Sequence, residues 1–286
     1  MRRIPPASSL AFPALVAIAG IAAWSLEAKP ERGDSLLRGM SFSTPGTPAI
    51  LAAPVHPDSV GVLLERHRER GVPGIDVEDY LLYLPPGIER GEEKWPLVLW
   101  LHGRSLRGRD LNLLKRYGPP ALIARGIRLP FVVVAPQLPP DRSWYDLGPV
   151  ADIVDHVVAT YPVDPERVYL LGYSMGGGGA YRMAFDYGDR FAAMIAIAGH
   201  TPEPTPDHVR AVERFPFLAI HGAQDARVPL APARRMAQAL EEDGAPQFEF
   251  RLMPGMDHGR LERLTRDESL YAWLLAHRRA DPAFAR

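Results

Sequence analysis

Ser174 stands in Gly172-Tyr173-Ser174-Met175-Gly176, a G-x-S-x-G pattern followed by three further glycines to Gly179. A serine hydroxyl is a weak nucleophile and needs a base to take its proton, and the base needs a third group to orient it. Such a set performs acyl transfer. Glycines flank the serine because side chains in so tight a turn would strike the neighbouring strand and helix. In a chain with 25 glycines the pattern also reads as a purely structural turn. Its context favours chemistry: an apolar run at 168–171 precedes it and a helical pattern follows.

Nine histidines compete for the role of base. His258 lies in Met253-Pro254-Gly255-Met256-Asp257-His258-Gly259, just past the apolar run 248–252, which places it at the sheet edge where Ser174 points. His200 and His221 also follow apolar runs and stay open as alternatives. The orienting acid belongs between serine and histidine in chain order, at another strand end. Asp225, on the turn after 217–220, meets that requirement; its plainer role would be to cap the helix beginning near Pro232. Asp257 is the rival, but adjacent residues point their side chains apart, so it is poorly placed to orient His258.

The developing oxyanion needs donors fixed before its charge appears, and backbone N–H groups suit this. Met175, next after the serine, supplies one. The second is expected from His102-Gly103-Arg104-Ser105, where Gly103 lets the backbone come close and the Arg104 N–H donates. His102 then holds that loop.

Short apolar runs at 80–84, 97–101, 131–135, 168–171, 194–198, 217–220 and 248–252 must position these residues. Several are apolar throughout, as strands covered on both faces are. Amphipathic stretches at 111–125, 150–161, 178–187, 232–242 and 270–278 alternate with them. The pattern predicts an α/β fold, a mostly parallel sheet with helices on both faces. Ligands in such sheets bind beyond the carboxyl ends of the strands.

With 286 residues the chain has ample length for one large domain, placed here at 76–286. Residues 29–75 read as a Pro/Gly/Ser-rich linker and lead-in. Met1-Arg2-Arg3 and an uncharged stretch from Leu10 to Trp24 give residues 1–28 the layout of a secretory signal peptide, and export to the periplasm or medium is expected. An uncleaved N-terminal anchor is the alternative, and a membrane is a partner only in that case. Fifteen residues of helix reach about 22 Å, short of the roughly 30 Å hydrocarbon core. Lys+Arg 33 against Asp+Glu 34 leaves no field to draw nucleic acid, and none is expected as a partner. Zero cysteines exclude thiol chemistry and disulfides. No His/Asp/Glu cluster has metal-ligand spacing and no P-loop pattern occurs, so neither a metal nor a nucleotide is expected.

Leu99-Trp100-Leu101-His102-Gly103, Gly172-Tyr173-Ser174-Met175-Gly176-Gly177, His221-Gly222-Ala223-Gln224-Asp225 with Val228-Pro229, and Asp257-His258-Gly259 occur in one order along the chain. In this the chain resembles the α/β-hydrolases of the dienelactone-hydrolase, carboxylesterase and polyhydroxyalkanoate-depolymerase-like group, over roughly Asp76 to His277. The resemblance implies an eight-stranded sheet, or seven without the first edge strand, and a Ser–His–Asp mechanism without cofactor. It carries the nucleophile to Ser174, the base to His258, the acid to Asp225 and the oxyanion hole to Met175 and Arg104. It also suggests Trp144 and Tyr145 as lining of the substrate pocket, with ordinary packing the alternative. Gly178-Gly179 departs from the pattern, since relatives often place a bulkier residue there. No long insertion forms a large lid.

Carboxylic esters, small or polymeric, are the expected substrates. A peptidase or amidase would use the same residues, and a non-catalytic hydrolase-fold binding protein would keep the architecture alone. Arg104, Arg107 and Arg109 read either as a basic mouth or as a solvated loop.

Overall fold

A computed structural model describes residues 60–67, 79–245 and 247–279. The expected leader and most of the lead-in lie outside the described residues. The seven apolar runs are all strands, and an eighth precedes them. In chain order they are β1 Leu63–His67, β2 Asp79–Tyr83, β3 Trp95–Leu101, β4 Val132–Gln137, β5 Val163–Tyr173, β6 Ala193–Ile197, β7 Phe217–Gly222 and β8 Phe248–Met253. β1 falls inside the segment expected to be lead-in, ahead of the boundary at 76. It is an edge strand paired only with β2, and its central Glu65-Arg66 hides the apolar pattern, as water on one side permits.

The sheet order is β1-β2-β4-β3-β5-β6-β7-β8. β2 runs antiparallel to both neighbours, and β3 to β8 pair in parallel. Helices α1 Pro119–Ala124, α2 Gly148–Thr160, α3 Met175–Tyr187, α4 Pro206–Val212, α5 Leu230–Glu242, α6 His258–Leu261 and α7 Glu268–Leu275 cover it. Alternation along each strand divides the core in two. Leu97, Leu99 and Leu101 of β3 pack with side chains of α2 to α5, whereas Val98 and Trp100 pack with those of α1, α6 and α7. Each such side chain, removed completely from water, contributes about 1.5–3 kcal/mol. That twofold cover explains why the central strands read as unbroken apolar runs.

The amphipathic stretch 111–125 is two elements, a 3₁₀ segment Leu111–Arg116 and then α1. Gly118, at φ 74°, turns the chain between them, and Pro119-Pro120 can begin a helix but not continue one. Two short helices, α4 and α6, lie outside the amphipathic stretches. Both are fixed by caps rather than by an apolar stripe: Thr205 accepts from the His208 N–H and Asp257 from the Arg260 N–H.

Candidate active site

Ser174 occupies the turn between β5 and α3 with φ 57° and ψ −116°, a conformation rarely open to a residue with a Cβ. Strain of this kind costs roughly 1–3 kcal/mol and persists only where the surroundings enforce it. Here the Ser174 N–H donates to the Ile197 carbonyl at 2.8 Å, and its carbonyl accepts from the Gly178 N–H at 3.1 Å. The flanking glycines are required by close approach. A Cβ on Gly172 would overlap the Gly176 carbonyl, and one on Gly176 the Leu101 carbonyl. The serine is thus lifted clear of the strand, at the carboxyl edge of the sheet.

Three side chains from three strand ends meet there. Ser174 Oγ lies 2.8 Å from His258 Nε2, and His258 Nδ1 lies 2.7 Å from Asp225 Oδ2. Asp225 Oδ1 accepts from the N–H groups of Arg227 and Val228, each at 2.9 Å. Burial works against the Asp225 charge, but the Val228 N–H, the His258 ring and the Arg227 N–H outweigh it and hold the carboxyl below its ordinary value. An ionised carboxylate only accepts, so Nδ1 of His258 carries the proton and Nε2 is free to accept from the serine hydroxyl. The Tyr173 hydroxyl, kept protonated by burial, donates to the His258 carbonyl at 2.7 Å. Asp225 caps nothing: α5 starts behind Pro229 without a side-chain cap.

The other candidates fall away by position. His221 is buried, donates from Nε2 to the Val228 carbonyl at 3.1 Å, and stands 3.8 Å from Asp225 Oδ2. It braces the turn that carries the carboxylate. His200 is exposed; partial burial and then the neighbouring Arg104 and His258 lower its pKa. Asp257 caps α6 and makes no bond to the His258 ring.

Met175 is the first residue of α3, where N–H groups lack intrahelical acceptors. Across from it, a Cβ on Gly103 would stand 3.3 Å from the Ser174 Cβ, so the loop after β3 abuts Ser174. Arg104 opens a 3₁₀ turn, Arg104–Leu106. Its N–H belongs to the peptide whose carbonyl, that of Gly103, accepts from His102 Nδ1 at 2.8 Å. His102 Nε2 accepts from the Leu138 N–H at 3.1 Å, so the fully buried ring is neutral with both nitrogens satisfied. Its pKa is pulled down to about 4, chiefly by burial.

Trp144 and Tyr145 part company. Trp144 is 2% exposed and donates from its indole to the His102 carbonyl at 2.9 Å, which places it behind the loop and not on an open pocket wall. Tyr145 is 70% exposed, with the Arg182 guanidinium 5.0 Å over its ring. The sequence hides the difference because neighbouring aromatics look alike until Gly179 is seen to leave space for one of them. Of the three arginines, Arg104 and Arg109 are exposed and Arg107 donates to the Arg142 carbonyl at 2.9 Å. Among the described residues no group of three His, Asp or Glu side chains is arranged to hold a metal, and no helix is long and apolar enough to cross a membrane.

Residues 147–284 match the dienelactone hydrolase family. Over that segment, just under half of its length, the chain is similar to dienelactone hydrolases, and its sheet is that of the α/β-hydrolase fold. The hydrolase domain is 33% identical over 162 residues to the candidate esterase NocK of Nocardia uniformis subsp. tsuyamanensis, covering 54% of this chain and 46% of that one. It is 26% identical over 162 residues to a poly(3-hydroxyoctanoate) depolymerase of Pseudomonas fluorescens, covering 47% and 58%. The chain thus spans about half the length of the curated relatives it matches. A solved thermostable esterase superposes on 77% of this chain and 64% of its own with a TM-score of 0.64 at 24% identity, which establishes the shared fold.

Proposed function

We propose that this hydrolase is an exported carboxylesterase-type serine hydrolase that cleaves carboxylic esters through an acyl-enzyme. The observation that carries the reading is the unbroken relay from Ser174 Oγ through His258 to Asp225, at 2.8 and 2.7 Å. Ser174 Oγ attacks the ester carbonyl carbon while His258 Nε2 takes the hydroxyl proton. The carbonyl oxygen becomes an oxyanion between the N–H groups of Met175 and Arg104. As the carbonyl reforms, the C–O bond to the leaving alcohol breaks and the imidazolium returns the proton to it. A water deprotonated by the same ring then attacks the acyl-serine and releases the acid. Asp225 stays ionised throughout and stabilises the imidazolium.

The substrate class is supported by the esterase and polyester depolymerase among the relatives. Export is supported by the basic start and the uncharged stretch from Leu10 to Trp24. A panel of p-nitrophenyl esters of increasing acyl length, set against peptide p-nitroanilides, tests the reading. Efficient turnover of short esters is expected, with anilides slower by orders of magnitude and all turnover lost in Ser174→Ala. Comparable rates on anilides would make the protein a peptidase, and ester cleavage that survives Ser174→Ala would end the proposal.

A further inference from the structure

We propose that Trp144 is a positioning residue for the oxyanion hole, and that Gly179 is the socket that lets it act. The proposal rests on the reading of Ser174 as nucleophile and adds a group that never meets the substrate.

A trans peptide is planar, so pinning its carbonyl fixes its N–H on the opposite side. Two consecutive peptides of the loop after β3 are pinned in this way. The His102 carbonyl accepts from Trp144 Nε1 at 2.9 Å, and the N–H of the same peptide, that of Gly103, meets the Tyr117 hydroxyl. The next carbonyl, Gly103, accepts from His102 Nδ1 at 2.8 Å, which leaves the Arg104 N–H on the far side of that peptide. The indole therefore holds the first rung of a ladder whose last rung is the proposed oxyanion donor. Its ring also meets the His102 imidazole edge to face, centroids 5.0 Å apart. Other ties, Gly108 N–H to the Leu138 carbonyl at 2.9 Å and Gln137 Nε2 to the Leu106 carbonyl at 2.9 Å, fasten the distal part of the loop and do not reach the His102 carbonyl.

Gly179 makes the arrangement possible. A Cβ there would stand 2.9 Å from Trp144 Cβ and 3.0 Å from its Cγ, so a larger residue at this position pushes the indole off its acceptor. Gly179 and the tryptophan expected in a pocket are thus two halves of one device.

Donors act in catalysis because they are fixed before charge develops, and losing one outright costs about 10²–10³ in rate. Loosening one should cost less. Trp144→Phe, which keeps the ring and removes the N–H, and Gly179→Ala, which keeps the N–H and displaces it, are each expected to lower kcat by roughly 10- to 100-fold. KM should hold within about twofold, by the same factor for acetyl and hexanoyl esters, because ground-state binding is untouched. The inflection of the pH–rate profile should stay in place, since the base is not involved. Unchanged kcat with a KM that rises with acyl length would make Trp144 a pocket wall and overturn the proposal.

If neither variant folds, the wild-type protein still decides. The Trp144 indole N–H, followed by ¹⁵N NMR, should resist solvent exchange and shift when a fluorophosphonate, losing fluoride to Ser174 Oγ, places its polar phosphoryl oxygen beside the loop. Rapid exchange, or no shift on modification, would overturn it. Absence of modification at Ser174 would instead sink the nucleophile assignment, so the two failures are distinguishable.

Discussion

Asp225 meets His258 through one oxygen only: Oδ2 lies 2.7 Å from Nδ1, while Oδ1 is committed to the backbone of its own turn. The carboxylate is locked in rotation before it orients the ring. A surface aspartate near a histidine would have no such commitment.

Asp225→Asn tests that relationship. The asparagine oxygen can keep the two N–H bonds of Arg227 and Val228, which leaves its NH₂ facing His258 Nδ1. A donor there forces the imidazole into the opposite tautomer, with its proton on Nε2, where it can no longer accept from Ser174. Ester-cleaving kcat should fall by about 10³–10⁴-fold while the circular dichroism spectrum is unchanged. A loss under tenfold would mean that the carboxylate does not set the tautomer.

Tyr173→Phe removes the hydroxyl that donates to the His258 carbonyl and leaves the ring in place beside the imidazole, centroids 5.4 Å apart. An unpartnered buried carbonyl should cost about 1–2 kcal/mol in urea unfolding. Because that bond anchors the base from behind, kcat should fall by up to about tenfold with little change in KM. Full stability in the variant would show that the carbonyl finds another donor.

His102 predicts an acid-labile window. Its folded pKa of about 4 lies below the ordinary 6.5, so between those values the unfolded chain binds the extra proton. The neutral ring's contribution is complete above about pH 6.5 and is lost as pH falls toward 4. A full shift of this kind is worth about 3 kcal/mol. Asp225, with its pKa lowered, adds a loss at still lower pH. Unfolding free energy measured from pH 7 to 4.5 should decline with a slope that His102→Gln removes, although that variant starts less stable. A flat profile in the parent protein would contradict the buried, neutral ring.

How much of this was legible in the sequence depends on how local each signal is. Ser174, Asp225 and His258 could be chosen because each follows a recognisable apolar run, and parallel strands bring such ends to one edge. The choice of Asp225 over Asp257 followed from side-chain direction alone. Trp144 could not be read, because its role depends on a space left by Gly179, distant in sequence. β1 escaped because an edge strand with charges at its centre has no clear alternation. The break inside 111–125 is written in Gly118-Pro119-Pro120, but the apolar spacing on either side of it runs on as one helical pattern.

The central claim is that Ser174 is an activated nucleophile, and a fluorophosphonate probe asks this of the folded protein directly. Tryptic peptide 168–182 contains Ser174 as its only serine. The account predicts stoichiometric phosphonylation of that peptide, lost in Ser174→Ala and strongly slowed in Asp225→Asn. A folded protein that stays unmodified, or takes the label on another residue, would contradict it.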